Sequence, residues 1–226
     1  MSAEYVYRME DLLDTYATPD TPDTPLVCLD EKPVTLQDDL VDGEPPLPGT
    51  PAHPQGHPER RDYAYARSGC ANLFVLVAPQ QGWRHVAVTD HRATADYAEQ
   101  LRYLAEEAFP TAARIRLVQD NVSTHTLAAL YATFPPERAR HLARRFDVHP
   151  TPKHASWLNM AEIEISVVSR GCLSRRAPTT QVVTERVAAL EAERNAAHAT
   201  IEWRFSVLDA RTKLHKLYPE PLIKLD

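Results

Sequence analysis

Two short apolar runs in this chain stop on a bare carboxylate. "LVCLDE" (26–31) reaches Asp30, and "RIRLVQD" (114–120) reaches Asp120. A third segment, "PKHASWLNMAEIEIS" (152–166), offers Glu162 and Glu164. Taken alone, Asp120 reads as a turn residue, because Asp and Asn end strands and start helices for local hydrogen-bonding reasons. Three carboxylates sharing one crevice would do something different. They would repel one another, and hard divalent cations that prefer oxygen ligands remove that repulsion. The chemistry therefore depends on whether the fold brings these positions together.

The elements that must position them are legible as periodicities. Residues 4–16 carry apolar positions at helical spacing (Tyr5, Met9, Leu12, Leu13, Tyr16), and "TPDTPDTP" (18–25) breaks that helix. "LVCLDE" is a continuous apolar run of the kind a central strand shows. From Pro33 to Pro58 prolines are dense and apolar residues few, which predicts a long irregular loop, with His53 and His57 as linker residues. "ANLFVLVAP" (71–79) and "WRHVAVTD" (83–90), joined by "QQG", predict a hairpin. A helix over 94–109, a strand over 114–120, a helix in "TLAALYATF" capped by Ser123 or Thr124, and a strand over 145–150 follow. Helices are then expected over 158–172 and 180–199. "TIEWRFSV" alternates as a half-buried strand would, and Ser206 with Asp209 forms a capping box for a closing helix.

This order implies an α/β fold: a mixed sheet with an antiparallel hairpin beside parallel strands, flanked by helices. Adjacent parallel strands open a crevice at their C-terminal ends, so Asp30 and Asp120 are expected side by side there. Two residues along a helix differ by about 200° in direction, so at most one of Glu162 and Glu164 can face the crevice. Glu162 is expected on the side of Leu158 and Ile165, at the rim of the face packed on the sheet, with Glu164 a surface acid pointing away.

Composition excludes several classes. Hydrophobic residues make up 43% and charged residues 25%, ordinary for a soluble globular protein. No apolar stretch is long enough for a membrane span, and the start "MSAEYVYRMEDLL" is too acidic for a signal peptide. Cys28, Cys70 and Cys172 show no metal-ligand spacing and fit a reducing, cytoplasmic setting. The net charge of −6 hides an asymmetry: residues 20–62 are acid-rich, whereas "ERARHLARRF" (137–146) and "SRGCLSRR" (169–176) cluster arginines. Such clusters matter more for a polyanion than the total, although solvated helix faces would look the same.

Several segments together resemble the catalytic half of a bacterial insertion-sequence transposase of the mariner-like group, in the DDE superfamily. They are "VCLDEKP" (27–33), "DYAYARSGCANLFVLVAP" (62–79), "GWRHVAVTDHRATADYA" (82–98), "VQDNVSTH" (118–125), "TPKHASWLNMAEIE" (151–164) and "EWRFSVLDARTKLHKLYP" (202–219). The resemblance runs in order over roughly residues 5 to 220. It departs from the family at Val122, Ser123 and Ala155, where leucine, asparagine and glycine are usual; none is an expected ligand.

The resemblance implies a ribonuclease H-like domain over 25–226, preceded by a leading helix and linker over 1–24, with a proline-rich loop at about 33–61. It implies phosphoryl transfer on DNA: hydrolysis that frees an element's ends, then attack of the 3′-hydroxyl on target DNA. Asp30, Asp120 and Glu162 would hold two Mg²⁺ ions, for which Mn²⁺ can substitute, with Asp30 shared. Asn121 and His125 would orient a carboxylate or contact phosphate, or else are a turn amide and a helix-start histidine. Lys153, His154, Arg144, Arg145 and Arg170 are the expected DNA contacts, and Trp157 a packing anchor. Helix-turn-helix modules normally precede this domain in the family, and about 24 residues precede the first strand here. A partner chain or upstream fusion carrying them, and a homo-oligomer on DNA, are expected. The rival readings are a truncated, non-catalytic remnant that binds DNA or a transposase, and a stand-alone ribonuclease H-like nuclease.

Overall fold

The computed structural model describes residues 2–220, apart from 42, 45, 50–54, 57–59, 61, 62, 123 and 124. Its centre is β1 (Leu26–Asp39), whose first four residues, Leu26 to Leu29, are wholly buried. β1 pairs antiparallel with β2 (Tyr65–Ala78), which pairs antiparallel with β3 (Trp83–Thr89). On its other side β1 runs parallel to β4 (Ile115–Gln119), and β4 runs parallel to β5 (Phe146–Pro150). The order is β3-β2-β1-β4-β5, the mixed sheet expected from the sequence. The turn between β2 and β3 needs Gly82. Its φ is +66°, and a Cβ there would lie 2.5 Å from the His198 backbone.

Strand residues alternate between two layers. Val27, Leu29, Phe74, Leu76, Ile115 and Leu117 pack under α2 (Thr94–Tyr103), α3 (Ala128–Thr133) and α4 (Pro136–Ala143). Leu26, Cys28, Val77 and Val118 face the other layer, covered by α1 (Ala3–Ala17) and α7 (Val207–Lys213). Farther along that layer, Leu73, Val75 and Val86 pack against α5 (Ala161–Gly171) and α6 (Thr180–Ala196). Met9, Leu12 and Leu13 of α1 are buried, and burying each such side chain is worth about 1.5–3 kcal/mol. This helix is thus part of the core. Tyr16 ties it to the segment before α5 by donating its hydroxyl to the Leu158 carbonyl at 2.6 Å.

Several elements differ from the sequence reading. β1 continues through Pro33 to Asp39, so the irregular loop starts later than the first proline. Pro33 is tolerated because the β1–β4 ladder stops at Cys28, which leaves that flank of β1 an edge. The helix over 94–109 closes in a π-helical turn, Leu104–Ala108. "TIEWRFSV" is not a strand: it pairs with no strand among the described residues, and Ile201, Trp203 and Phe205 alternate because they pack onto the α1 layer. The segment before α5 is a 3₁₀ turn at Ser156–Leu158, so Leu158 does not belong to the helix that carries Glu162. The capping box of α7 is present, with the Asp209 amide donating to Ser206 Oγ at 3.1 Å. Ser123 and Thr124, expected to cap α3, lie outside the described residues, as do His53 and His57.

Candidate active site

The parallel pairing of β1 and β4 decides where the first two acids go. Cys28 is in register with Val118, and both face the α1 layer. Side chains repeat every two residues along a strand, so two positions further on Asp30 and Asp120 come to the same face and the same end. Met160 and Ala161, at the start of α5, pack in the same layer and bring Glu162 over that end. The proximity has an electrostatic signature. Burial lifts the Asp30 carboxyl from 3.8 to about 6, and repulsion from Glu162 and Asp120 adds to the rise. The Glu31 amide and the charge of His125 oppose it.

Asp30 is held on both oxygens. The Glu31 amide donates to Oδ1 at 2.8 Å, and Asn159 Nδ2 donates to Oδ2 at 3.1 Å. Asn159 is itself buried. It also donates to the Leu29 carbonyl at 2.9 Å and accepts the Ala161 amide at 3.1 Å, so one amide side chain fastens α5 to β1.

Asp120 is held from the opposite layer. His125 Nδ1 bonds Asp120 Oδ1, and His125 Nε2 lies 2.9 Å from Glu31 Oε1. An imidazole between two carboxylates needs both N–H groups as donors. Burial pulls its pKa down, but the hydrogen bonds to Asp120 and Glu31 outweigh that and lift it to about 9. Tyr97 stacks on the ring with centroids 4.8 Å apart and donates its hydroxyl to Gln119 Oε1 at 2.5 Å. Gln119 Nε2 in turn donates to the His125 carbonyl at 2.6 Å. His125 is therefore a clamp on Asp120, whereas Asn121 is exposed.

Carboxylate oxygens suit a hard cation, and the charges of Glu162 and Asp120 reach Asp30. Among the described residues no three His, Cys, Asp or Glu side chains stand ready around one point.

A family model described as "DDE superfamily endonuclease" matches residues 25–183, more than half of the chain. The chain belongs to the DDE superfamily. No curated protein matches it. Among solved structures it is similar to the Mos1 strand transfer complex, with 17% identity, a TM-score of 0.54, and coverage of 86% of this chain and 56% of that one. It is similar also to the Mos1 mariner paired end complex with Mn, with 17% identity, a TM-score of 0.53, and coverage of 88% and 59%. The same complex with Mg gives 17% identity and a TM-score of 0.53, covering 96% and 62%. At such identity the likeness concerns the fold, which is ribonuclease H-like. The chain spans between 56% and 62% of the length of these solved chains.

The remaining expected residues of this DDE domain scatter. Lys153 and His154 are exposed and line a cleft of about 300 Å³ with Asn121, Arg8 and Tyr5, next to Asp120. His154 has φ 64°, so the left-handed position is this residue and not Ala155, where the family's glycine is usual. Arg170 is exposed at the end of α5. Arg144 and Arg145 lie just before β5, whose start pairs with the start of β4, at the opposite end of the strands from Asp120. Arg145 donates to the Phe109 carbonyl at 2.8 Å, a structural role. Trp157 is 45% exposed and stacks toward Trp203, with centroids 6.4 Å apart.

Glu164 corrects the sequence reading most sharply. It is 1% exposed, not a surface acid. Arg194 binds it with a two-pronged fork, at 2.8 Å to Oε1 and 3.0 Å to Oε2, and Arg84 Nε lies 3.4 Å from Oε1. The sequence reading also missed Glu31 and Asn159. Both sit beside expected acids, in "LDEKP" and "LNMAE", but their partners are remote in sequence.

Proposed function

We propose that this chain is the catalytic domain of a DDE transposase that cuts DNA and joins the freed ends to target DNA, using divalent cations. The observation that carries this reading is Asp30 at the end of the parallel β1–β4 pair, its carboxyl raised chiefly by burial and further by the charges of Glu162 and Asp120. Asp30 would be shared by two Mg²⁺ or Mn²⁺ ions, with Asp120 and Glu162 each completing one site. Bound there, the metal would activate the attacking oxygen and stabilise the leaving one. Asn159 and the Glu31 amide keep Asp30 aimed into the crevice, and the His125–Glu31 pair keeps Asp120 from turning away. Lys153 and His154 stand where a DNA strand entering beside Asp120 would meet them. The Mos1 structures are described as a strand transfer complex and as mariner paired end complexes with Mn or Mg; these support the same reading here.

The test is Mg²⁺-dependent nicking of DNA bearing the element's ends, with an upstream helix-turn-helix chain supplied for end recognition. Glu162→Gln and Asp30→Asn should lose activity at least a hundredfold, about 3 kcal/mol of transition-state stabilisation. The exposed Glu220→Gln should stay within a few-fold. An unaltered protein that binds ends yet never cuts would instead identify a non-catalytic remnant.

A further inference from the structure

We propose that the triad Arg84–Glu164–Arg194, with Arg84 and Glu164 buried and Arg194 half-buried, is a positioning device for Glu162, setting the rotation of α5 about its axis. This rests on the reading of Glu162 as the third acid. Burying the charges of Arg84 and Glu164 is costly, and well-packed apolar residues would hold a helix in place as well or better. What apolar packing does poorly is resist a small rotation. Ile165 and Val168 slide against an aliphatic surface, whereas a guanidinium fork holds a carboxylate in plane and direction.

The fork is referenced to the frame of the domain and not to α5. Arg194 belongs to α6. Arg84 belongs to β3 and donates to the Gly82 carbonyl at 2.8 Å and to the Ala199 carbonyl. Asn195 joins those two elements by accepting the Arg84 amide at 2.9 Å and donating to the Arg84 carbonyl at 2.8 Å.

Helical geometry transmits the constraint. Glu162 and Glu164 point about 200° apart, so fixing the direction of one fixes the other on the opposite side of α5. A side-chain end lies roughly 5–6 Å from the helix axis, so a 20° turn moves the Glu162 carboxylate by about 2 Å. Displacements of about 1 Å can cost reactions about a hundredfold.

The test compares Arg194→Lys, which keeps the charge but loses the fork, with Glu164→Gln and with Val187→Ala. Val187→Ala loosens the packing around α6 without touching the triad. For each full-length protein the urea midpoint, the affinity for Mn²⁺ alone, and kcat and KM for nicking are measured, and crystal structures are determined. Arg194→Lys and Glu164→Gln should lower Mn²⁺ affinity and kcat at least tenfold with KM for DNA unchanged, and their structures should show α5 turned. Val187→Ala should lose stability while keeping Mn²⁺ affinity and kcat within threefold. Unchanged Mn²⁺ affinity and kcat in both triad variants, with Glu162 in place, would overturn the proposal. If the unaltered protein neither binds Mn²⁺ nor cuts DNA, the proposed function fails. The structures alone then decide the positioning: a turned α5 supports it, and an unmoved Glu162 refutes it.

Discussion

Asp30→Asn should stabilise the metal-free protein at neutral pH, an unusual outcome for altering a half-buried, hydrogen-bonded residue. The folded-state carboxyl titrates at about 6 against 3.8 unfolded, so the folded state holds its proton more tightly. For an acid raised in this way the sign is unfavourable. The cost of ionisation is absent below about 3.8, grows as pH rises, and is complete above about 6. The gap corresponds to about 3 kcal/mol at 1.36 kcal/mol per tenfold change. Asparagine abolishes that cost but presents an N–H₂ where Asn159 Nδ2 now finds an acceptor, which returns about 1 kcal/mol. The net gain is about 2 kcal/mol at pH 8, or roughly 4–8 °C in Tm for a chain of this size. Urea unfolding of both proteins in a chelating buffer between pH 4 and pH 8 measures it. The Asn variant should be slightly the less stable at the acid end, and the curves should cross and then diverge through the window from 3.8 to 6. A constant difference across that range, or an Asn variant less stable at pH 8, would refute the electrostatic account of the crevice. Adding Mn²⁺ should then stabilise the unaltered protein and leave Asp30→Asn nearly unmoved, because binding to the folded state alone adds stability.

His125 titrates in a separate window and with the opposite origin. Its folded pKa of about 9 lies above 6.5, so its contribution is full below pH 6.5 and lost as pH rises through 9; His125→Gln should flatten the stability profile over that range in the same urea assay. Asn159→Ala should cost about 2–4 kcal/mol in urea unfolding, since it empties a buried site and strips partners from Leu29, Asp30 and Ala161. Tyr97→Phe leaves Gln119 Oε1 without its buried donor and should cost about 1–3 kcal/mol by the same measurement. The chain alone should bind duplex DNA weakly, with steep salt dependence and no preference for an inverted repeat over scrambled sequence; strong discrimination in a fluorescence-anisotropy titration would contradict this.

The local features of this chain are written in local residues. Continuous apolar runs announced β1 and β4, the spacing of Tyr97 and Leu101 announced α2, and Ser206 with Asp209 announced α7, because each depends on neighbours a few residues away. The expected acids Asp30, Asp120 and Glu162 were nameable for the same reason: each sits in a short motif. Tertiary structure decided what those motifs meet. "TIEWRFSV" alternates like a strand, yet an alternating segment becomes a strand only beside an edge with free hydrogen-bonding groups, and α1 stands there instead. Glu164 looked solvated because helical periodicity gives directions around an axis and says nothing about what waits on the far side. Arg84 and Arg194, distant in sequence, turn that position into the most constrained acid on α5. His125 could be a helix-start histidine or orient a carboxylate until Glu31 arrived from β1 to take its second N–H. Periodicity is a property of the chain, but the worth of a charge depends on its dielectric surroundings and counter-charges, and only folding assembles those.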